Sequence, residues 1–136
     1  DNVGPKGMDE AEELLSAVGD VVRLDEEAQI DAVTGVSGSG PAYVFHMIET
    51  MAAGGVAQGL SPELALQLAT ATVAGAGALA KSADEDPTQL RKNVTSPNGT
   101  TQAALEVLMD EENGFPALLK RAVAAAADRS RELSRD

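Results

Sequence analysis

The clearest candidate for chemistry is NVTSPNGTT at residues 93–101, hereafter the 93–101 segment. It combines four hydroxyl side chains, a proline and an Asn-Gly pair directly before an apolar run of helical period. The first amides of a helix lack intrahelical acceptors and lie at the positive end of its dipole, so they bind carboxylate or phosphate without a lysine. Gly99, expected at positive φ, would let a ligand approach, and Ser96, Thr100 and Thr101 would add hydroxyls. A capping turn rich in Ser and Thr is an equal alternative on spacing alone.

A second polar segment, GVSGSGPA at residues 35–42, is also expected to be a loop directly before a helix. Pro41 suits the first turn of that helix, whose N-terminus is therefore a second candidate for anion binding. As a dinucleotide-binding fingerprint the segment is weak, because it lacks a third glycine and follows only a few apolar residues.

Metal and nucleophile chemistry has little support in the sequence. His46 is the single histidine and cysteine is absent, which excludes paired-histidine metal sites, thiolate sites and disulfides. We expect His46 to be a half-buried helix residue. Most carboxylates fall on helix faces or in acidic turns, where solvated charge explains them, so we predict no metal.

Charge and composition narrow the class of protein. With 22 acidic and 10 basic residues, the net charge of −12 opposes binding to nucleic acid and to anionic membranes. The N-terminal sequence has no basic stretch followed by an apolar core, and no apolar run is expected to approach the ~20 residues that span a bilayer. A cytoplasmic protein with no nucleic-acid or membrane partner is the prediction.

The N-terminal residues predict a helix from Met8 that stops at Gly19, followed by a strand, DVVRL. A lone strand leaves both of its edges unpaired, so one helix and one strand do not make a sheet. We therefore interpret residues 1–24 as the last piece of an α/β unit whose other strands lie outside this chain.

The rest of the chain predicts an all-α fold. Aromatic residues make up only 2% of the sequence, so the core must be built from Ala, Leu and Val, which favours close-packed helices. Ser61 is suited to cap a helix that begins at Pro62. A short segment, residues 87–93, leads into the 93–101 segment. The predicted helices are residues 41–56, 62–80, 101–110 and 116–133.

Small residues in the 62–80 helix predict association. Glycine inside a helix costs ~1 kcal/mol relative to alanine, so Gly75 and Gly77 indicate a packing role. We expect another backbone to approach there, and at least a homodimer.

Three segments, DAVTGVSGSGPAYVF, AAGGVAQGLSPELALQLA and LRKNVTSPNGTTQAALEVL, closely resemble in this order the C-terminal half of the Δ1-pyrroline-5-carboxylate reductases. The resemblance covers almost the whole chain and is most specific in VTSPNGTT. It implies a helical bundle that forms an interlocked dimer or a larger homo-oligomer, with the substrate site at the subunit boundary. Residues 1–24 then resemble the end of the Rossmann domain that carries NAD(P)H, and residues 25–136 the helical dimerisation and substrate-binding domain.

The resemblance also implies an activity and its substrate residues. Members of this family reduce 1-pyrroline-5-carboxylate to L-proline with NAD(P)H, the last step of proline biosynthesis. The substrate carboxylate would be held by Ser96, Gly99, Thr100 and Thr101, and the hydroxyl of Thr101, the catalytic candidate, would lie near the ring nitrogen. Glu27 matches an acidic residue that contributes to the substrate site across the dimer.

Cofactor contacts are implied for four residues. Asn93 matches a residue that contacts the cofactor, and Ser39, Gly40 and Pro41 resemble the segment that lines the nicotinamide side. One departure concerns Asn98, which stands where the family usually has the first of two glycines. Asparagine tolerates the left-handed region better than other side chains, so the turn can persist.

A rival interpretation is a non-catalytic helical oligomerisation module. Its support is that this chain contains no dinucleotide-binding domain. On either interpretation we expect this chain alone to be inactive as a reductase.

Overall fold

A computed structural model describes residues 3–135, which divide into two compact units. The first unit ends at Ile30 and the second begins at Asp31. In the first, helix α1 spans Pro5–Ser16 with a proline at its start, three residues before the predicted beginning. An irregular segment then leads to a 3-10 turn at Glu27–Gln29.

The predicted strand at DVVRL is wrong. Residues 20–24 are irregular, and no strand occurs anywhere in residues 3–135. A strand needs a neighbour whose amides and carbonyls complete a ladder, and the described residues supply none. Arg23 instead binds back to α1, donating from Nε to Glu12 at 2.6 Å and from a terminal nitrogen to Asp9 at 2.7 Å.

The second unit begins with an almost continuous helical run. Helix α2 spans Ile30–Val33, a π-helical turn spans Thr34–Gly38, and helix α3 spans Gly40–Ala57. The expected loop before α3 is therefore wrong. The amide of Ser39 donates to the carbonyl of Thr34 at 2.8 Å, a wide turn that keeps the backbone helical.

Helices α3 and α4 form a hairpin. Its corner is Gly59, at φ +97°, where the amides of Gly59 and Leu60 donate to the carbonyls of Val56 and Gly55. Helix α4 spans Pro62–Ser82, and the Ser61 hydroxyl accepts from the amide of Leu64 as predicted.

Helix α7, Phe115–Leu133, packs on the π-helical turn because Gly35 has no side chain. Gly35 is buried, and a Cβ there would lie 2.8 Å from the carbonyl oxygen of Val123. The Ser130 hydroxyl donates to Asp31 at 2.6 Å and the Tyr43 hydroxyl donates to the Gly35 carbonyl at 3.0 Å. The Asp31–Ser130 and Gly35–Val123 contacts join the two ends of the helical unit, whereas the Tyr43 bond ties the π-helical turn to α3.

Two short helices flank the 93–101 segment. Helix α5 spans Pro87–Asn93 and is capped by Asp86, whose carboxylate accepts the amides of Thr88 and Gln89. Helix α6 spans Thr100–Leu108. Extensive packing in residues 3–135 joins α3 to α4 and the π-helical turn to α3 and α7, whereas α5 and α6 pack extensively on no other element.

Very little apolar surface is buried. The buried apolar residues among those described are three alanines, Ala65, Ala69 and Ala127, while large side chains such as Phe45 and Leu66 are more than half exposed. Apolar surface of this extent on a folded protein marks an interaction surface. The helical unit therefore needs a partner to cover it.

The length and hydropathy of helix α4 contradict one expectation drawn from the sequence. The helix has 21 residues and contains an 18-residue stretch with a mean hydropathy of 1.3, so it is the one described helix that is long and apolar enough to cross a bilayer, contrary to the expectation that no apolar run approaches that length. A single such helix is weak evidence for a span, because core helices of soluble proteins also meet these two conditions.

Candidate functional site

The 93–101 segment forms a tight turn between α5 and α6. After α5, the Thr95 hydroxyl donates to the Arg91 carbonyl at 2.6 Å and holds the chain against the end of that helix. Asn98 then adopts φ +57° and is the one non-glycine residue at positive φ in the described chain. Asparagine therefore occupies the left-handed position, as its tolerance of that region allows.

Gly99 is required for a different reason from the one expected. Its φ is −87° and its ψ 173°, an extended conformation open to any residue, so the expected positive φ is wrong at this position. A Cβ on Gly99 would overlap the Ser96 hydroxyl oxygen and lie 3.1 Å from the Ser96 carbonyl oxygen. A side chain at position 99 would therefore require the Ser96 hydroxyl to rotate away and the Ser96 carbonyl to shift.

The start of α6 presents free backbone amides. The Gly99 amide donates to the Ser96 carbonyl at 3.1 Å, while the amides of Thr100, Thr101 and Gln102 have no acceptor within residues 3–135. Three such amides at the positive end of a helix can bind a carboxylate. The hydroxyl of Thr101, which is half-buried, and that of Thr100, which is exposed, stand on the same turn.

Gln102 belongs to this turn and was missed by the sequence analysis. Its side-chain oxygen accepts the Asn98 amide at 2.8 Å, and its side-chain nitrogen donates to Glu106 at 3.3 Å. The available signal was a glutamine in the first turn of a predicted helix, from which a side chain can reach back over the N-terminus.

The residues expected to contact the cofactor lie on two different elements. The Asn93 side-chain oxygen accepts from Gln89 at 2.7 Å, and Ser39, Gly40 and Pro41 lie where the π-helical turn passes into α3. The Ser39 amide donates to the Thr34 carbonyl and is therefore not free. The start of α3 thus lacks the row of free amides found in the first turn of α6. The second predicted anion site is not formed.

The described part of the helical unit contains a broad cleft and a smaller pocket, which are lined by different elements. A broad open cleft of about 1020 Å³ lies between α3 and α7, and Gly40 and His46 are on its walls. His46 is exposed and bonded to Glu49 at 3.1 Å, so its expected half-burial is wrong. A pocket of about 320 Å³ between α5 and α6 is lined by Arg91 and Gln102, among others.

Neither cavity joins the two sets of predicted residues. The 93–101 segment stands beside the smaller pocket, whereas Ser39–Pro41 belong to the elements around the larger cleft. Glu27 is the first residue of the 3-10 turn in the N-terminal unit, and its side chain is exposed. No group of three or more His, Cys, Asp or Glu side chains within residues 3–135 could hold a metal ion.

Comparison with known proteins connects this geometry to a family. The family model for pyrroline-5-carboxylate reductase dimerisation matches residues 27–133, which include α2 to α7 and the turn before α6. The chain belongs to this family. The all-α helical unit is therefore the family's dimerisation fold, as the sequence predicted.

Individual relatives of the family agree. A pyrroline-5-carboxylate reductase from Pseudomonas aeruginosa is 51% identical over 93% of this chain. The solved pyrroline-5-carboxylate reductase of Coxiella burnetii matches 98% of the chain at 37% identity, with a TM-score of 0.91. The Plasmodium falciparum pyrroline carboxylate reductase, solved with NADP bound, matches 96% at 34% identity, with a TM-score of 0.82.

The chain spans only part of these relatives. It corresponds to 45% of the Pseudomonas protein and to 48% and 49% of the two solved chains. Their names describe proteins about twice as long as the region matched here.

Proposed function

We propose that this chain is the dimerisation and substrate-binding half of an NAD(P)H-dependent pyrroline-5-carboxylate reductase that forms L-proline. The observation that carries the proposal is the row of free amides at Thr100, Thr101 and Gln102, set behind a left-handed turn in a chain of this family. The substrate is a small cyclic acid, and a helix N-terminus of this kind binds its carboxylate. Residues up to 24 are proposed to be the end of the dinucleotide-binding domain, and the helical domain to begin at residue 25.

Within the site, the residues of this chain bind and orient the substrate. The free amides in the first turn of α6 are proposed to hold the carboxylate. The Ser96 and Thr100 hydroxyls are proposed to add hydrogen bonds to it. The Thr101 hydroxyl is proposed to lie near the ring nitrogen. An iminium nitrogen already carries its proton, so orientation and electrostatic stabilisation suffice and no tuned acid is needed.

The cofactor is proposed to be held mainly by a part of the protein outside this chain. NAD(P)H would supply the hydride that reduces the imine carbon. The described residues do not form a dinucleotide site by themselves, because Asn93 ends α5 whereas Ser39–Pro41 lie where the π-helical turn passes into α3. Asn93 and Ser39–Pro41 are proposed to contribute single contacts from the edge of the site, and no metal is proposed.

A second copy of the chain is proposed to cover the apolar surface of the helical unit. The support is the family's description as a dimerisation domain, together with the near absence of buried large side chains in the described chain. An interlocked dimer, alone or within a larger homo-oligomer, would also bring Glu27 of one subunit to the substrate of the other. A cytoplasmic location, with no nucleic-acid or membrane partner, stays a prediction.

A direct assay tests the proposal. The full-length protein should oxidise NADH or NADPH when pyrroline-5-carboxylate is added, as measured by the fall in absorbance of the nicotinamide, and the purified 136-residue chain should not. Replacing Thr101 with valine keeps the shape and the amide but removes the hydroxyl, so it should lower kcat/KM by the ~2- to 12-fold that one lost hydrogen bond produces.

Two results would contradict the proposal. The first is a folded full-length protein that oxidises neither cofactor, which would favour a non-catalytic oligomerisation module. The second is turnover by the 136-residue chain alone, which would place the cofactor site within the residues described. Circular dichroism on every variant separates loss of function from loss of folding.

A further inference from the structure

We infer that Gln102 is a positioning residue that holds Asn98 in the left-handed conformation and so fixes the carboxylate site at the start of α6. The identity of the ligand rests on the proposed function, whereas the positioning role of Gln102 rests on the geometry of the turn. Gln102 is half-buried at the third position of α6. Its side chain spans the turn from the helix back to Asn98.

The orientation of the Gln102 amide follows from its two partners. A backbone N–H only donates, so the group that meets Asn98 at 2.8 Å must be the side-chain oxygen. A carboxylate only accepts, so the nitrogen must face Glu106, at 3.3 Å. Both ends of the Gln102 side chain are therefore engaged, and Glu106 holds it in the rotamer that reaches Asn98.

Asn98 is the residue in this turn whose conformation needs support. At φ +57° an asparagine is strained relative to glycine, which reaches this region freely. The hydrogen bond from its amide to Gln102 favours this conformation, because an extended Asn98 would point its amide elsewhere. The next residues are Gly99 and then Thr100, so the torsion at Asn98 sets the direction in which the α6 amides point.

This arrangement predicts that Gln102 and Asn98 are coupled. Gln102→Met keeps the length of the side chain and its helix propensity but removes the acceptor. Asn98→Gly removes the need for support, because glycine populates positive φ without help. The loss caused by Gln102→Met should therefore be large with asparagine at position 98 and small with glycine there.

The experiment is a double-mutant cycle on the full-length protein with L-proline as the probe. Calorimetric titration should show that Gln102→Met raises the Kd for L-proline by about 2- to 12-fold, the range expected from one lost hydrogen bond. The same substitution in an Asn98→Gly background should change the Kd less than about 2-fold. In parallel, amide exchange by NMR should show that Gln102→Met speeds exchange at Asn98 when no ligand is present.

The outcomes separate this inference from the proposed function. Equal effects of Gln102→Met in both backgrounds, or unchanged exchange at Asn98, would overturn the positioning role even if L-proline binds normally. Absence of L-proline binding by the folded wild-type protein would count against the proposed function instead. Faster exchange at Asn98 in Gln102→Met would then still support the positioning role, because it needs no ligand.

Discussion

Gly99 lies so close to Ser96 that a methyl group in its place would displace the Ser96 side chain. Its backbone is extended, so alanine would meet no torsional penalty there. The obstacle is the Ser96 hydroxyl oxygen, which a Cβ would overlap, together with the Ser96 carbonyl oxygen at 3.1 Å. This contact therefore limits which residues the turn accepts at position 99.

This contact predicts the behaviour of Gly99→Ala. Overpacking at the turn should lower the free energy of unfolding by about 1–3 kcal/mol. The distorted turn should also weaken the binding of L-proline by the full-length protein. Ser96→Ala removes the overlapping hydroxyl, so Gly99→Ala should cost less affinity in the Ser96→Ala background than in wild type, although the Ser96 carbonyl still crowds the new methyl group. The Ser96→Ala single variant accounts for the hydrogen bond that this hydroxyl is proposed to give the ligand. Calorimetry on the two single variants and the double variant makes the comparison. An identical loss with and without the Ser96 hydroxyl would show that this contact is not the constraint.

Asp110 stabilises the next turn through its charge. Its carboxylate accepts the amides of Asn113 at 2.7 Å and Glu112 at 3.1 Å, and these bonds hold the pKa of Asp110 below its ordinary value of 3.8. A depressed pKa means that this stabilisation is complete above the unfolded-state pKa, near 3.8, and is lost as the pH falls through the lower folded-state pKa.

The Asp110 contribution can be isolated with one variant and one control. Asp110→Ala should lower the Tm of the full-length protein at pH 7, and the difference from wild type should shrink as the pH falls below 3.8. Glu111→Ala is the control, because Glu111 is an exposed neighbour without a described hydrogen bond. Thermal unfolding between pH 7 and 2.5 measures both. A difference from wild type that stays constant with pH would show that the Asp110 charge plays no part.

At the scale of elements, the docking of α7 depends on the missing side chain of Gly35. The π-helical turn presents Gly35 to the backbone of α7, and Asp31 and Tyr43 add hydrogen bonds on either side. The turn also carries the chain into α3. A substitution at Gly35 should therefore disturb the packing of both α3 and α7.

Gly35→Ala tests this dependence. Its Cβ would stand 2.8 Å from the Val123 carbonyl oxygen, so α7 must shift, and we expect a loss of about 1–3 kcal/mol in the free energy of unfolding. Gly38→Ala is the matched control in the same turn, because its Cβ would make an ordinary contact of 3.6 Å with Thr34. Urea unfolding of the full-length variants gives both values. Equal stability of the two variants would contradict the proposed close packing.

At the scale of the whole molecule, the glycines of α4 have no packing partner within the described chain. A Cβ on Gly75 or Gly77 would meet nothing within 4 Å. Glycine lowers helix stability by ~1 kcal/mol relative to alanine, and no contact in one copy explains its presence. A second copy that approaches α4 closely would explain it.

Substitution of these glycines separates association from folding. Gly75→Leu and Gly77→Leu should favour the helix itself, so weakened dimerisation would arise from overpacking against a partner, at about 1–3 kcal/mol. Gly75→Ala and Gly77→Ala are the matched controls, because alanine also favours the helix but adds much less volume than leucine. Sedimentation of the full-length proteins at micromolar concentration measures the change. Dimers of unchanged affinity in both α4 variants would remove α4 from the interface.

Local signals in the sequence were sufficient for most of the helical architecture and for the position of the candidate site. Ser61 and Pro62 predicted the start of α4, and the turn residues of the 93–101 segment predicted a helix N-terminus with free amides, because caps and turns depend on neighbours within a few residues. Long-range contacts decided the rest. The strand at residues 20–24 failed without a partner, and the expected loop before α3 became a π-helical turn packed on α7.

The roles of individual residues within the turn also depended on the tertiary structure. The sequence pointed to Gly99 as the special position, but the positive φ belongs to Asn98, and Gly99 is constrained by its contact with Ser96. Gln102 entered the site only through the hydrogen bond that its side chain makes across the turn. Residue type determines which torsions and bonds are possible, whereas the three-dimensional path of the chain decides which of them are used, because distances between non-neighbouring atoms are properties of the folded state alone.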